Sequence, residues 1–273
     1  MLRYPSGLRW LSARGGFMAL TGLIALTTAV APATGAATGV ITKVRHLINR
    51  VTDASATGQS FTGTAAIGAL FTTSDGKLRT HFCSASVVNS PAGDLVLTAA
   101  HCVTNLAGAI VFVPDYHDGT SPYGVWTVTH VYTDSAWQSS ENPDDDFAFI
   151  TVSDPSEGAP IEDITGAEEL GTSPATPAPV QVIGYPDGAS EPVECTNWTK
   201  IFSSAQLQFD CGGYPDGTSG GPFLTDVSAA TGQGVIIGLI GGYEQGGLTP
   251  SVSYSAMLGA TAQALYKTAT LGG

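Results

Sequence analysis

Three residue types that together hydrolyse acyl bonds stand apart along this chain: His101 in "LVLTAAHC", Asp146 in "NPDDDFAFI" and Ser219 in "YPDGTSGGPFL". A serine hydroxyl is a weak nucleophile until a base takes its proton. An imidazole can be that base, and a carboxylate can hold the imidazole in the right tautomer. Each residue alone has a plainer reading. Ser219, set among Gly217, Gly220 and Gly221, has the surroundings of a turn residue. His101, at the end of an apolar run, fits a core-edge imidazole with a satisfied hydrogen bond. Asp144 and Asp145 fit a solvated acidic turn. Asp146 differs, because it directly precedes the apolar run 147–150 and is carried inward, where a carboxylate needs an N–H partner.

Holding three such residues together requires a rigid frame, and the composition points to strands. With 34 glycines and only 12% charged residues, the chain favours many short strands and tight turns over salt-bridged surface helices. From Phe61 onward the segments "TAAIGALFTT", "HFCSASVVNS", "DLVLTAAHC", "AIVFVPDY", "GVWTVTHVYT" and "DFAFITV" read as strands between turn signals. Residues 153–179 carry little apolar periodicity and read as a linker. A second set follows in "PVQVIGYP", "AQLQFDC", "GGPFLTD", "GVIIGLIGG" and "PSVSYSAML", and residues 260–270 read as a short C-terminal helix. The expected fold is all-β, with a first β unit over 61–155 carrying His101 and Asp146 and a second over 156–273 carrying Ser219.

The first 36 residues have the form of an export signal. Arg3, Arg9 and Arg14 precede an apolar run from Phe17 to Val30, and small residues for cleavage follow at 31–36. The run is interrupted by Thr and Gly and lacks the roughly 20 strongly apolar residues of a membrane span. Residues 37–60 are expected to be a pro-segment or an N-terminal extension, with Ile41, Val44, Leu47, Ile48 and Val51 near a helical period. Loss of the signal leaves seven basic residues against 23 acidic ones, with no Lys or Arg between Arg79 and Lys200. Such a chain repels phosphate backbones and anionic headgroups, so neither nucleic acid nor a membrane surface is an expected partner.

Cys83, Cys102, Cys195 and Cys211 make an even count, which in an exported chain suggests two disulfides, with local pairing preferred among three connectivities. A Cys83–Cys102 bond would staple two neighbouring strands and steady the His101 loop. No CxxC pair occurs, so no metal site is expected.

Taken together, "LTAAHC", the order His101, Asp146, Ser219 and "GTSGGP" resemble the trypsin/chymotrypsin-like serine peptidases, whose nucleophile motif is GDSGGP. "VIGYP" at 182–186 resembles secreted bacterial members. The resemblance spans roughly residues 61–270 and implies two packed antiparallel six-stranded β-barrels (the chymotrypsin-like fold) with the site between them. It implies a monomeric, secreted endopeptidase acting on proteins or peptides without cofactor. His101 would be the base, Asp146 its support, Ser219 the nucleophile, and the N–H groups of Gly217 and Ser219 the oxyanion hole. A Cys195–Cys211 bond would tie a loop beside the nucleophile. Gly213 and Tyr214 would lie near the base of the specificity pocket, and Gly241, Gly242 and Tyr243 along its wall.

Several departures narrow this reading. Thr218 replaces the acidic residue that pairs with a freed N-terminus in animal members, so activation by that ion pair is not expected. By the resemblance Asp216 would stand at the pocket mouth, and the 211–219 interval is short, which gives no support to cleavage after Lys or Arg. "GLIGGY" lacks the histidine of glutamate-specific relatives. The sequence 217–221 also satisfies G-x-S-x-G, but all five histidines precede Ser219, whereas an α/β-hydrolase needs its histidine after the serine. A catalytically silent binding protein on the same fold is the alternative, and its usual mark, a lost triad residue, is absent.

Overall fold

A computed structural model describes residues 56–104, 109–154 and 158–271. The expected signal at 1–36 and the helical pattern at 41–51 lie outside the described residues. After a two-residue strand β1 (Gln59–Ser60) come β2 (Ile67–Ser74), β3 (Lys77–Val87), β4 (Leu95–Thr98), β5 (Ile110–Pro114), β6 (Trp126–Thr133) and β7 (Ala148–Ser153). These six close into a barrel in the order β2-β3-β4-β7-β6-β5, antiparallel throughout. They are the six segments read as strands from sequence. Aliphatic and aromatic residues fill the interior, with Ile67, Leu70, Leu97, Phe112, Phe149 and Ile150 fully buried. Each such side chain stabilises the fold by about 1.5–3 kcal/mol.

The second unit is an eight-stranded sheet: β8 (Glu169–Leu170), β9 (Pro179–Gly184), β10 (Val193–Ile201), β11 (Gln206–Asp210), β12 (Pro222–Thr225), β13 (Val235–Leu239) and β14 (Val252–Ala256), with β1 paired to β10. Six of these strands are long, as the expected fold requires, and β1 and β8 add two residues each. Across the gap between β13 and β14, Gly241 N–H donates to Tyr254 O at 3.0 Å and Leu239 N–H to Ser255 Oγ at 2.9 Å. Val182, Phe209, Phe223 and Ile237 form this unit's core. A C-terminal helix (Ala260–Leu271) lies against the first barrel, its Tyr266 ring 5.7 Å from that of Phe149.

Three features of the fold carry no clear signal in the sequence. β10 was missed because the residues it buries are Cys195, Asn197 and Thr199, and polar inward positions hide the alternation. Their polar atoms are satisfied by backbone: Asn197 Nδ2 donates to Asp210 O at 2.7 Å and Thr199 Oγ1 to Ala178 O at 3.2 Å. Second, residues 56–60 are built into the second sheet, with Gly58 N–H on Gly212 O and Gly212 N–H on Ala56 O. Third, the linker carries a short helix (Ile161–Thr165), β8 and the fully buried Glu168.

Glu168 joins the two units. Its N–H bonds to Val87 O, its carbonyl takes Asn89 N–H, and Oε2 accepts from Gly234 N–H at 2.6 Å. Burial pushes its carboxyl up from 4.5 to about 7. Between those values the unfolded chain releases a proton that the folded chain retains, so stability falls as pH rises through that window. Glu168→Gln should therefore be more stable than wild type at pH 8, by up to about 3 kcal/mol, with the difference closing toward pH 4. Thermal unfolding of both proteins at the two pH values checks this. An equal difference at both would assign the effect to packing.

Candidate active site

His101 sits in a single 3₁₀ turn (Ala100–Cys102) directly after β4. Ala99 and Ala100 are fully buried, and their small side chains let the turn close against the barrel. Cys102 is bonded to Cys83 of β3, so the turn is tied to its neighbouring strand, while Cys195 and Cys211 form the second bridge. Both pairings are the local ones. A ring nitrogen of His101 and the two sulfurs of the first bridge lie within 4.8 Å of one another. Those thiols are joined and offer no thiolate to a metal.

Asp146 follows a 3₁₀ turn (Pro143–Asp145) and enters β7 fully buried. Its Oδ2 accepts from His101 Nδ1 at 2.8 Å and from Gly242 N–H at 2.8 Å, and its Oδ1 accepts from His101 N–H at 3.0 Å. Three N–H donors compensate a carboxylate that burial would otherwise penalise. Because an ionised carboxylate only accepts, Nδ1 carries the ring proton and Nε2 is the bare nitrogen. The two preceding carboxylates divide. Asp144 is exposed and takes Gln206 Nε2 at 2.8 Å, as a surface turn residue can. Asp145 departs from the solvated turn expected of it: it is buried, it accepts from Asn142 Nδ2 at 2.6 Å, and desolvation raises its carboxyl above the ordinary range.

Ser219 lies in the loop 211–221 between β11 and β12. Gly217 there has φ +91°, and a Cβ would run into Asp187 N and Tyr185 O, so only glycine fits. Gly220, with φ +82°, presses on Ser84 O and on Thr98 and Ala99, two residues short of His101. At Gly241 an added Cβ would fall 2.9 Å from the carbonyl oxygen and 3.2 Å from the carboxylate of Asp146. Ser219 and Gly220 thus meet Ser84, Thr98 and Ala99, and Gly242 meets Asp146, along one seam between the two units. Among the described residues, no acceptor takes the N–H of Gly217 or that of Ser219.

Beside Ser219 opens a cavity of about 340 Å³, bordered by Asp187, Tyr214, Asp216, Ile240, Leu248 and Thr249 among others. Its two charged residues are both aspartates. Of the five residues expected around the specificity pocket, Tyr214 borders this cavity, with its hydroxyl spent on Val182 O at 2.7 Å. Gly213 sits against Gly58 instead. Gly242 N–H serves Asp146, Gly241 gives its N–H to Tyr254 O, and Tyr243 is part exposed in an aromatic group with Phe202 and Tyr254. The wall is supplied by residues 245–250, which no motif in the sequence marks. Thr218 closes back on its own loop, its Oγ1 donating to Pro215 O at 2.7 Å.

A family model described as Trypsin matches residues 56–255. Among solved structures, the protease Anisep from Arthrobacter nicotinovorans is 26% identical, with TM-score 0.67 over 78% of this chain and 99% of the other. A thermostable serine protease, AL20, from an extremophilic microorganism is 24% identical, with TM-score 0.66 over 77% and 99%. A Glu endopeptidase is 17% identical, with TM-score 0.61 over 81% and 99%, a likeness of fold alone. No curated protein matches the chain.

Proposed function

The chain belongs to the trypsin family and is a serine endopeptidase, and from that premise we propose that it is exported and cuts peptide bonds through His101, Asp146 and Ser219. The observation that carries the reading is the hold of Asp146 on His101, at ring and backbone, by a fully buried carboxylate. In the first step Nε2 of His101 takes the Ser219 proton as Oγ attacks the scissile carbonyl. The N–H groups of Gly217 and Ser219 receive the negative oxygen. His101 then gives its proton to the leaving amine, and water repeats the sequence to release the acyl group from Ser219. Asp146 keeps the proton on Nδ1 and stabilises the imidazolium without itself being protonated.

The substrate is a peptide or protein, and the enzyme acts as a monomer. Export rests on the signal-like residues 1–36 and suits the two disulfides. We take residues 37–60 as a pro-segment or extension, of which 56–60 pair into the second sheet, 61–155 as the domain of the first barrel and 156–273 as that of the second sheet.

A serine-directed fluorophosphonate tests the assignment. The secreted protein should carry one adduct, on Ser219 by mass spectrometry, and Ser219→Ala should carry none. A folded wild type that stays unlabelled would be the catalytically silent binding protein instead.

A further inference from the structure

We propose that Ser84 is a positioning residue for this hydrolysis: from the first barrel, it fastens the peptide units around Ser219 so that the Gly217 N–H faces the cleft. The inference rests on the proposed role of Ser219.

Ser84 lies in β3 next to the bridged Cys83 and is fully buried. Its backbone N–H donates to Ser219 O at 2.7 Å, and its carbonyl accepts from Thr98 Oγ1 at 2.8 Å. The hydroxyl is placed just as firmly. Its Oγ accepts from Tyr185 N–H at 2.8 Å and donates to Gly217 O at 3.1 Å. No other assignment works, because a backbone N–H can only donate and a carbonyl can only accept.

Those two bonds clamp the segment beginning at Tyr185 to the loop at Gly217. Two residues beyond Tyr185, Asp187 N–H donates to Asp216 O at 2.8 Å. A trans peptide points its C=O and its N–H in opposite directions, so drawing Asp216 O toward Asp187 turns the Gly217 N–H away from it. The same rule applies at the next donor, where Gly221 N–H holds Thr218 O at 3.0 Å and turns the Ser219 N–H the other way. The Ser84 hydroxyl keeps residues 185–187 and 216–217 in the register that the first of these bonds requires. Alignment therefore comes from a neutral serine in the interior. Thr218 has no charge with which to hold an N-terminal ammonium, and its hydroxyl is committed to Pro215 O.

Removing one oxyanion donor costs about 10²–10³ in kcat in other enzymes, so loosening one should cost about 10–100-fold. Ser84→Ala is expected to lower kcat by that factor with KM within about threefold. Affinity for a peptide aldehyde, whose adduct oxygen occupies the hole, should fall in step. Ser84→Thr, which restores a hydroxyl, should recover most of the loss. Ser86→Ala is the control: it lies two residues along the same strand, with a buried hydroxyl that has no partner among the described residues, and it should leave kcat unchanged.

A folded Ser84→Ala with wild-type kcat overturns the proposal. So does a loss of kcat with aldehyde affinity intact, or a threonine variant as impaired as the alanine one. If Ser84→Ala does not fold, Ser84→Gly is measured the same way, and wild-type values there overturn it equally. A wild type that takes no fluorophosphonate removes the role of Ser219, and this inference with it. A labelled wild type beside an unaffected Ser84→Ala removes this inference alone.

Discussion

Replacing Ser219 with alanine should lower kcat by about 10⁶ while the fold persists. The structural work of residue 219 is done by its carbonyl, which takes the Ser84 N–H at 2.7 Å, and by the flanking glycines, all of which survive the change. Among the described residues, the hydroxyl makes no hydrogen bond whose loss would unfold the loop. What disappears is the atom proposed to attack. Hydrolysis through the hole and substrate binding alone should leave a residue about 10³–10⁴ above water. Because the serine and its base act as one unit, Ser219→Ala/His101→Ala should be no slower than Ser219→Ala. Peptide turnover and thermal unfolding, measured together, test this. An alanine variant within 100-fold of wild type would mean that another group attacks.

Asp146→Asn should lower kcat by about 10⁴. The carboxylate accepts three N–H bonds and has no donor to offer: His101 Nδ1 and Gly242 N–H meet Oδ2, and His101 N–H meets Oδ1. An asparagine amide presents one oxygen and one NH₂ to the same donors. Facing the NH₂, the imidazole accepts at Nδ1 and carries its proton on Nε2, the nitrogen that must be bare to receive the serine proton. Such a change leaves packing nearly intact, so KM should stay within a few-fold and the loss should appear in kcat. An equal loss from Asp145→Asn would contradict this assignment, since among the described residues the Asp145 carboxylate bonds to Asn142 and not to His101.

Most of the frame is legible from residue types, for different reasons at different elements. β4 and β7 announce themselves as continuous apolar runs ending at His101 and beginning after Asp146, so the sequence locates both the strands and the chemistry they carry. β10 does not, because it buries Asn197 and Thr199, whose partners are carbonyls 13 and 21 residues away. Asp146 could be told from its neighbours by the apolar run after it, yet the burial of Asp145 depends on Asn142 and on the way the turn folds. The cavity wall was the least legible part. Gly241 and Gly242 look like pocket glycines by position, whereas the space beside Ser219 is shaped by residues 245–250 after two successive left-handed residues, Glu244 and Gln245. Ser84 was equally silent, since a serine in an apolar strand shows nothing of the carbonyls it will meet.

The seam between barrel and sheet also sets when this enzyme can act. His101, Asp146 and the clamp at Ser84 belong to the first barrel and its turns, synthesised early, while the loop bearing Ser219 emerges some 70 residues after Asp146. A peptidase built on these residues stays silent on the ribosome and throughout partial folding, because neither half holds a base, a nucleophile and an anion site together. On the proposed assignment, half-folded copies cannot digest one another, and the first bond is cut only after the last strands have docked.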